Sequence, residues 1–438
     1  MPERNTSGWQ NGIDRRTFIK GAGASGTMLL AGCSSDGGDG GDGGDGGDGG
    51  DGDGGGSTGG DSMDLTVGVI TARSGSYSFL GQGEYEGAVI AKQHLEDELD
   101  VSIEIVEEDT ETDPSTGLER MKRLVNRESV DYVLGGVSSS VAIKMGRWAS
   151  DNGVAYMAAG SHSDQTTGDK CAEYMFRPTC SNSMLANSMG QSLADAEDKW
   201  VIMFADYTWG QTGAEAVANG VAEAGGEVVD EIPTPWPNES NDYTQYLNEA
   251  ADTDATGLAV VIAGTAQRIV TKQFFNGGHD DQFTMAGPLF EEAVFWGLDK
   301  EVSAQAGIWA TPFANTVPVT DLGDRVMDEV VDQFDSSPFS RHAMGYTSMD
   351  QLGRAAVRAG SVSASDIRAE LEGHELENHI KQGDHYWRAE DHQLVQPVDT
   401  VVAKPIDEMQ DDPYQSWFNH NSRVAGDDVV REDSGCSL

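Results

Sequence analysis

From residue 65 onward the apolar positions follow two rhythms. Leu65-Thr66-Val67-Gly68-Val69-Ile70 is a near-continuous apolar run, the pattern of a strand buried on both faces. Residues 83–99 then carry Ala88, Ala91 and Leu95 at helical spacing, and 101–106 alternates as a strand. Asp113-Pro114 opens a helix with Leu118, Met121, Leu124 and Val125 on one face. A strand at 130–134, a helix at 138–150 and a strand at 154–158 complete the first unit. The alternation restarts with strands predicted at 200–204, 227–232, 258–262, 283–286 and 306–310, and helices at 209–224, 243–251 and 265–275. Helices near 322–334 and 342–359 lack strands for a third sheet, so the late strand 397–403 is expected to rejoin an earlier one. Residues 406–438 are acidic and weakly patterned, and read as a surface tail.

Strict βαβα alternation signals α/β architecture with parallel sheets covered on both faces. About 375 residues are too many for one compact core and natural for two domains. The fold class is therefore α/β, with two doubly wound parallel-sheet lobes. Ligands of such sheets bind at the carboxyl ends of the strands. Two units facing each other would form a cleft that closes by hinge motion.

The chain before this body has a different character. Asp14-Arg15-Arg16-Thr17-Phe18-Ile19-Lys20 precedes an apolar run ending in Leu30-Ala31-Gly32-Cys33. A twin arginine before a short hydrophobic segment reads as an export signal of the twin-arginine route, too short to span a bilayer permanently. Leu-Ala-Gly-Cys is lipobox-like, with Cys33 the lipidated first residue of the mature chain. Residues 1–33 are thus signal and lipobox, and 34–62 a Gly/Asp tether lacking the apolar residues needed to fold. Roughly 25 such residues reach about 30 Å. The expected location is the extracellular face of the cell membrane, held by a lipid anchor.

Formal net charge is −46. That balance argues against nucleic acid or anionic lipid as a partner and fits solvation in concentrated salt, hence a halophilic source. Against this background carboxylate clusters carry little weight. Cys171 and Cys180 close a short loop if disulfide-bonded, and are two separate buried thiols otherwise; Cys436 has no visible partner. His374, His379, His385 and His392 stand among acids without the i, i+4 spacing of a metal site, so no metal is assigned and the group reads as solvated surface.

The chain resembles the branched-chain amino-acid type of periplasmic-binding-fold (type I) receptors, the lipid-anchored substrate-binding subunits of ABC importers. The resemblance rests on Val67-Gly-Val-Ile with Ser74-Gly-Ser-Tyr-Ser-Phe-Leu-Gly81, Glu108-Asp109-Thr-Glu-Thr-Asp-Pro114 and Val133-Leu-Gly-Gly-Val-Ser-Ser-Ser140. Phe176-Arg-Pro178, Asp206-Tyr-Thr-Trp-Gly-Gln211 and Arg388-Ala-Glu-Asp-His-Gln393 extend it. It implies three hinge crossings, with 64–180 plus 311–375 as one lobe and 181–310 plus 376–405 as the other. It further implies a small-molecule ligand, permease subunits as partners and no cofactor. A sensor signalling through a separate membrane protein is the alternative. The enzyme motifs Gly-x-Ser-x-Gly, the phosphate loop, the zinc-protease helix and the dinucleotide fingerprint are all missing.

The resemblance also points to contacts. Ser138, Ser139 and Ser140 lie at a helix N-terminus, where free N–H groups and hydroxyls hold a carboxylate; an ordinary Ser cap would look the same. Gly160, Ser161 and His162 match the family's second carboxylate-side loop. Tyr77, Phe79 and Trp209 are expected as apolar walls or as core packing, and Trp209 matches a ligand-stacking aromatic position of the family. Three positions depart from the family. Leu289 replaces the acid that receives a ligand ammonium, Thr265 replaces an aromatic, and Arg341 stands where an apolar wall is usual. Glu291 or Glu292 would have to substitute for the acid. This exchange favours a ligand with an extra acid or an amide.

Overall fold

The computed structural model describes residues 62–237 and 240–438. The twin-arginine segment, Cys33 and residues 34–61 of the tether lie outside the described residues.

Strand β1 (Met63–Thr71) leads through a 3₁₀ turn into α1 (Ser78–Glu98), followed by β2 (Val101–Asp109), α2 (Pro114–Asn126), β3 (Tyr132–Gly135), α3 (Ser139–Asp151), β4 (Ala155–Ala158) and β5 (Met175–Phe176). These strands form an all-parallel sheet in the order β2-β1-β3-β4-β5. The run 67–71 of β1 is fully buried because β1 lies inside the sheet with helices over both faces. Asp113 caps α2, its side chain accepting from Ser115 N at 3.0 Å and Thr116 N at 2.7 Å, with Pro114 at the first helical position.

The chain then crosses into α4 (Asn182–Ala196), β6 (Lys199–Ala205), α5 (Thr208–Glu223), β7 (Glu227–Thr234), α6 (Thr244–Ala251), β8 (Gly257–Val261), α7 (Gly264–Asn276), β9 (Thr284–Gly287), α8 (Glu292–Phe295), α9 (Lys300–Ser303) and β10 (Ile308–Thr311). It returns through α10 (Asp321–Phe334), α11 (Ser340–Ala359), α12 (Ala364–Leu371) and the small ribbon of β11 (Tyr386–Trp387) with β12 (Leu394–Val395). Its last elements are β13 (Val398–Ala403), β14 (Phe418–Val424) and α13 (Gly426–Val429). The second sheet runs β14-β13-β10-β9-β8-β6-β7, with β13 antiparallel to β10 and β14 antiparallel to β13. Helix α11 lies tightly along α1. A side chain on Gly87 would collide with the His342 carbonyl, and one on Gly345 with the Glu84 carbonyl. Among the described residues, no helix is long and apolar enough to cross a membrane.

Buried polar side chains hold the crossings together. Arg177, after β5, donates to Gln393 Oε1 and Ser163 O, both at 2.5 Å, and to Thr167 Oγ1 at 2.6 Å. Lys381 donates to Pro312 O at 2.6 Å and to Pro397 O, tying the second crossing to the third.

Four expectations are corrected. The third crossing falls at 395–398 and not near 376. Residues 376–395 stay with the first sheet, because Trp387 packs edge-on against Phe176 and His392 stacks on it with centroids 4.0 Å apart. The segment 406–438 is no loose tail, since β14 extends the second sheet. Cys171 bonds to Cys436 across a sequence separation of 265, while Cys180 is a free thiol buried beside Met184 and Leu185 at the start of the second lobe's core. Two of the histidines are not solvated surface: His385 and His392 are buried, and His385 stacks on half-buried His379.

Candidate functional site

Six strands end in loops that face one another. After β1, the turn Gly75–Tyr77 carries Tyr77. After β3, Gly135 and Gly136 take φ of 123° and 84°, and a side chain on Gly135 would strike Ile70 O, so only glycine lets the chain turn into α3 here. After β4 come Gly160, Ser161 and His162. From the second sheet, the loop after β6 supplies Tyr207 and Trp209, that after β8 supplies Ala263, and that after β9 supplies Leu289.

These loops enclose a cavity of about 10 Å³, near the volume one water needs. Tyr77, Leu80, Val137, Gly160 and His162 line it on the first lobe's side, with Arg341 from the start of α11. Tyr207, Trp209, Ala263 and Leu289 line it from the second. One rim is aromatic and crosses the lobes. Tyr77 Oη lies 2.6 Å from Tyr207 Oη, and Trp236 stacks on both rings with centroids 5.1 and 5.0 Å away.

Arg341 is the cation of the site, and four hydrogen bonds hold its guanidinium. Its Nε donates to Glu291 Oε1 at 2.7 Å and its Nη2 donates to the same oxygen. Its Nη1 reaches Glu84 Oε1 at 3.1 Å and Gly160 O at 3.2 Å. Ser340 Oγ donates to Glu291 Oε2 at 2.6 Å. Glu84 and Arg341 belong to the first lobe and Glu291 to the second, so this buried cluster also joins them. Burial pushes the Glu84 carboxyl up to about 7, with Arg341 pulling the other way. Burial likewise raises neighbouring Glu292 to about 8; its Oε1 accepts from Asn315 N at 3.0 Å.

His162 Nδ1 lies 2.8 Å from Cys180 O, so Nδ1 carries the proton and donates. Burial, and then the Arg341 charge, hold the ring well below its usual pKa and therefore neutral. Among the described residues its Nε2 is a bare acceptor without a partner, and the Trp209 indole N–H and Glu84 Oε2 are likewise unpartnered.

Of the residues expected at the site, the cavity brings together Tyr77, Gly160, His162, Trp209, Leu289 and Arg341. The serines are engaged elsewhere. Ser139 Oγ accepts from Ser163 N at 3.2 Å, Ser161 Oγ pairs with Thr166 Oγ1 at 2.6 Å, and Ser138 pairs with Ser140 at 3.2 Å. Phe79 lies under Arg268, and Thr265 donates to Ser76 O at 3.2 Å at an exposed edge. Sequence reasoning missed Glu84, Tyr207 and Trp236. Tyr207 adjoins Trp209 in the quoted motif and was the accessible one. Among the described residues, no group of three or more His, Cys, Asp or Glu is placed to hold a metal ion.

A family model described as periplasmic binding protein matches residues 64–408. A periplasmic binding protein from Burkholderia mallei superposes with a TM-score of 0.78 at 21% identity, over 86% of this chain and 99% of its own. An amino acid ABC transporter substrate-binding protein from Pseudomonas fluorescens Pf-5 gives 0.77 at 18%, over 86% and 99%. The benzoate complex of an ABC transporter solute-binding protein from R. palustris gives 0.73 at 19%, over 86% and 100%. No curated protein matches the chain.

Proposed function

The chain belongs to the periplasmic binding protein family, and from that premise we propose that it is the solute-binding receptor of an ABC importer. It takes one small polar solute between its lobes and releases it to permease subunits when the hinge opens. The observation that carries this reading is the pair His162 and Trp209. Each lines the cavity between the lobes, and each carries a buried polar atom with no partner among the described residues. A buried polar atom without a partner costs about 1–3 kcal/mol. A solute that supplies the partners removes that cost only when both lobes close over it, so binding and closure become one event.

Amino acids, carboxylates and amides are the ligand classes to test. Related folds recorded as an amino-acid transporter component and as a benzoate complex support that range. Tyr77, Gly160, His162, Trp209, Leu289 and Arg341 are the proposed contacts. Ser138, Ser139, Ser140 and Ser161 shape the two loops of the first lobe. Export by the twin-arginine route, lipid anchoring through Cys33 at the extracellular face and a halophilic setting complete the proposal.

The test is thermal melting of the full chain in concentrated KCl against amino acids, amides, dicarboxylates and benzoates. A true ligand at 100 times its Kd adds about 2.7 kcal/mol, and Trp209→Phe, which keeps a ring in the buried site and removes the indole N–H, cuts that gain by about half. No shift with any compound overturns the receptor reading.

A further inference from the structure

Resting on the receptor reading, the cavity also limits the chemistry of the solute's polar head. We propose that this head is uncharged and both donates and accepts a hydrogen bond, as a carboxamide or an alcohol does, with its N–H or O–H on His162 Nε2 and its oxygen on the Trp209 indole N–H.

The two partners are complementary and fixed. His162 is 1% exposed, and its Nδ1–H is committed to Cys180 O, which leaves Nε2 able only to accept. Trp209 is 3% exposed, and its indole nitrogen can only donate. Together they ask for one donor and one acceptor. The charges of the site give no opening to an ionised head. Arg341 already faces Glu84 and Glu291 and the Gly160 carbonyl. With both carboxylates ionised the cluster carries one net negative charge, so an acid head would add a second in a dry site. An ammonium fares no better: Leu289 occupies the loop position that faces the cavity, and neither Glu84 nor Glu291 lines it. Glu84 Oε2 is also unpartnered, but it lies outside the lining.

The experiment melts the full chain in concentrated KCl with two matched sets of probes. One is benzamide, benzyl alcohol, benzoate and benzylamine; the other is isobutyramide, isobutanol, isobutyrate and isobutylamine. The amide or alcohol of at least one set binds tenfold or more tighter than its acid and amine. Trp209→Phe keeps a ring and removes the N–H, and weakens that probe about tenfold; His162→Leu does the same. Melts without probe report whether each variant folds, and Trp209→Phe, the milder change, stands if His162→Leu fails to fold. The amide and alcohol arms tell the two heads apart. An acid or amine that binds tighter than its uncharged partners, or a Trp209→Phe protein that binds the amide unchanged, overturns the inference and leaves the receptor reading standing. Melts that no probe moves count against the receptor reading itself.

Discussion

Arg341 Nε and Glu291 Oε1 lie 2.7 Å apart across the two lobes, with Arg341 2% exposed and Glu291 0%. One partner opens α11 and the other precedes α8, so the pair exists only while the lobes are together. Breaking a buried pair from one side leaves an uncompensated charge, at about 3–5 kcal/mol. Glu84 keeps part of the guanidinium satisfied, so Glu291→Ala is expected near the lower end, about 3 kcal/mol. Denaturant melts measure that loss. Small-angle scattering should show the variant more extended than the parent; an unchanged radius of gyration would mean the pair does not hold the lobes together.

The buried acids set a pH dependence. Glu84 is pushed up to about 7 and Glu292 to about 8, both above their unfolded values. Between the unfolded and folded pKa the folded chain binds more protons than the unfolded one. Stability from these groups is therefore complete below about pH 4.5 and declines as pH rises through 7 and 8. The loss is on the order of 3–5 kcal/mol per group. Glu84→Gln should flatten the lower part of the decline and Glu84→Gln/Glu292→Gln the whole of it. Melts from pH 5 to 8.5 check this, and a slope that survives both changes removes these two carboxyls as its source.

The C-terminal segment straps one lobe to the other. β14 is paired into the second sheet, Asn187 Nδ2 donates to Val429 O at 2.9 Å, and Cys436 is bonded to Cys171 in the loop before β5 of the first. This adds a covalent link to the three crossings. Closing so long a loop is worth about 2–5 kcal/mol. Cys436→Ser should lower stability by that amount and make the melt insensitive to reductant, while Cys180→Ser keeps the sensitivity. A parent protein whose melt ignores reductant would rule the strap out.

What was legible in the sequence follows from where burial is two-sided. β1 and β3 read as strands because parallel sheet interiors demand apolar residues on both faces, and α2 announced itself through Asp113-Pro114. Helix α4 was passed over because Asn182, Ser183 and Ser188 are buried along with its apolar residues, which blurs the helical period. β14 was missed for the opposite reason. It is an edge strand whose His420 and Arg423 face buried Asp399, so it alternates polar with polar. Cys171 and Cys436 share no local pattern. In a chain with 74 acidic residues, nothing marked Glu84, and Glu291 was singled out only as an alternative acid for the ligand, not as the partner of Arg341. Tyr77, His162 and Trp209 were accessible because each follows a predicted strand end, which in this architecture faces the cleft.

Lys381 is expected to act as the pin of the hinge. Its ammonium is 1% exposed and donates to the carbonyls of Pro312 and Pro397, one on each of two crossings, with Asp399 3.8 Å away. Burial lowers its pKa, and the Asp399 charge opposes that. Lys381→Met keeps the stem and removes both hydrogen bonds. It leaves two buried carbonyls unpartnered, at about 1–3 kcal/mol each. Asp399 keeps Arg423, whose Nε lies at 2.7 Å, so it is not left as a lone buried charge. The variant should therefore melt about 2–6 kcal/mol less stably and bind solute more weakly, with the loss mainly in the closing rate because no cavity residue has changed. Stopped-flow fluorescence of Trp209 and Trp236 on mixing with a bound probe measures that rate. A slower melt-independent closing step supports the pin, and a destabilised protein that closes at the parent rate reduces Lys381 to a packing residue.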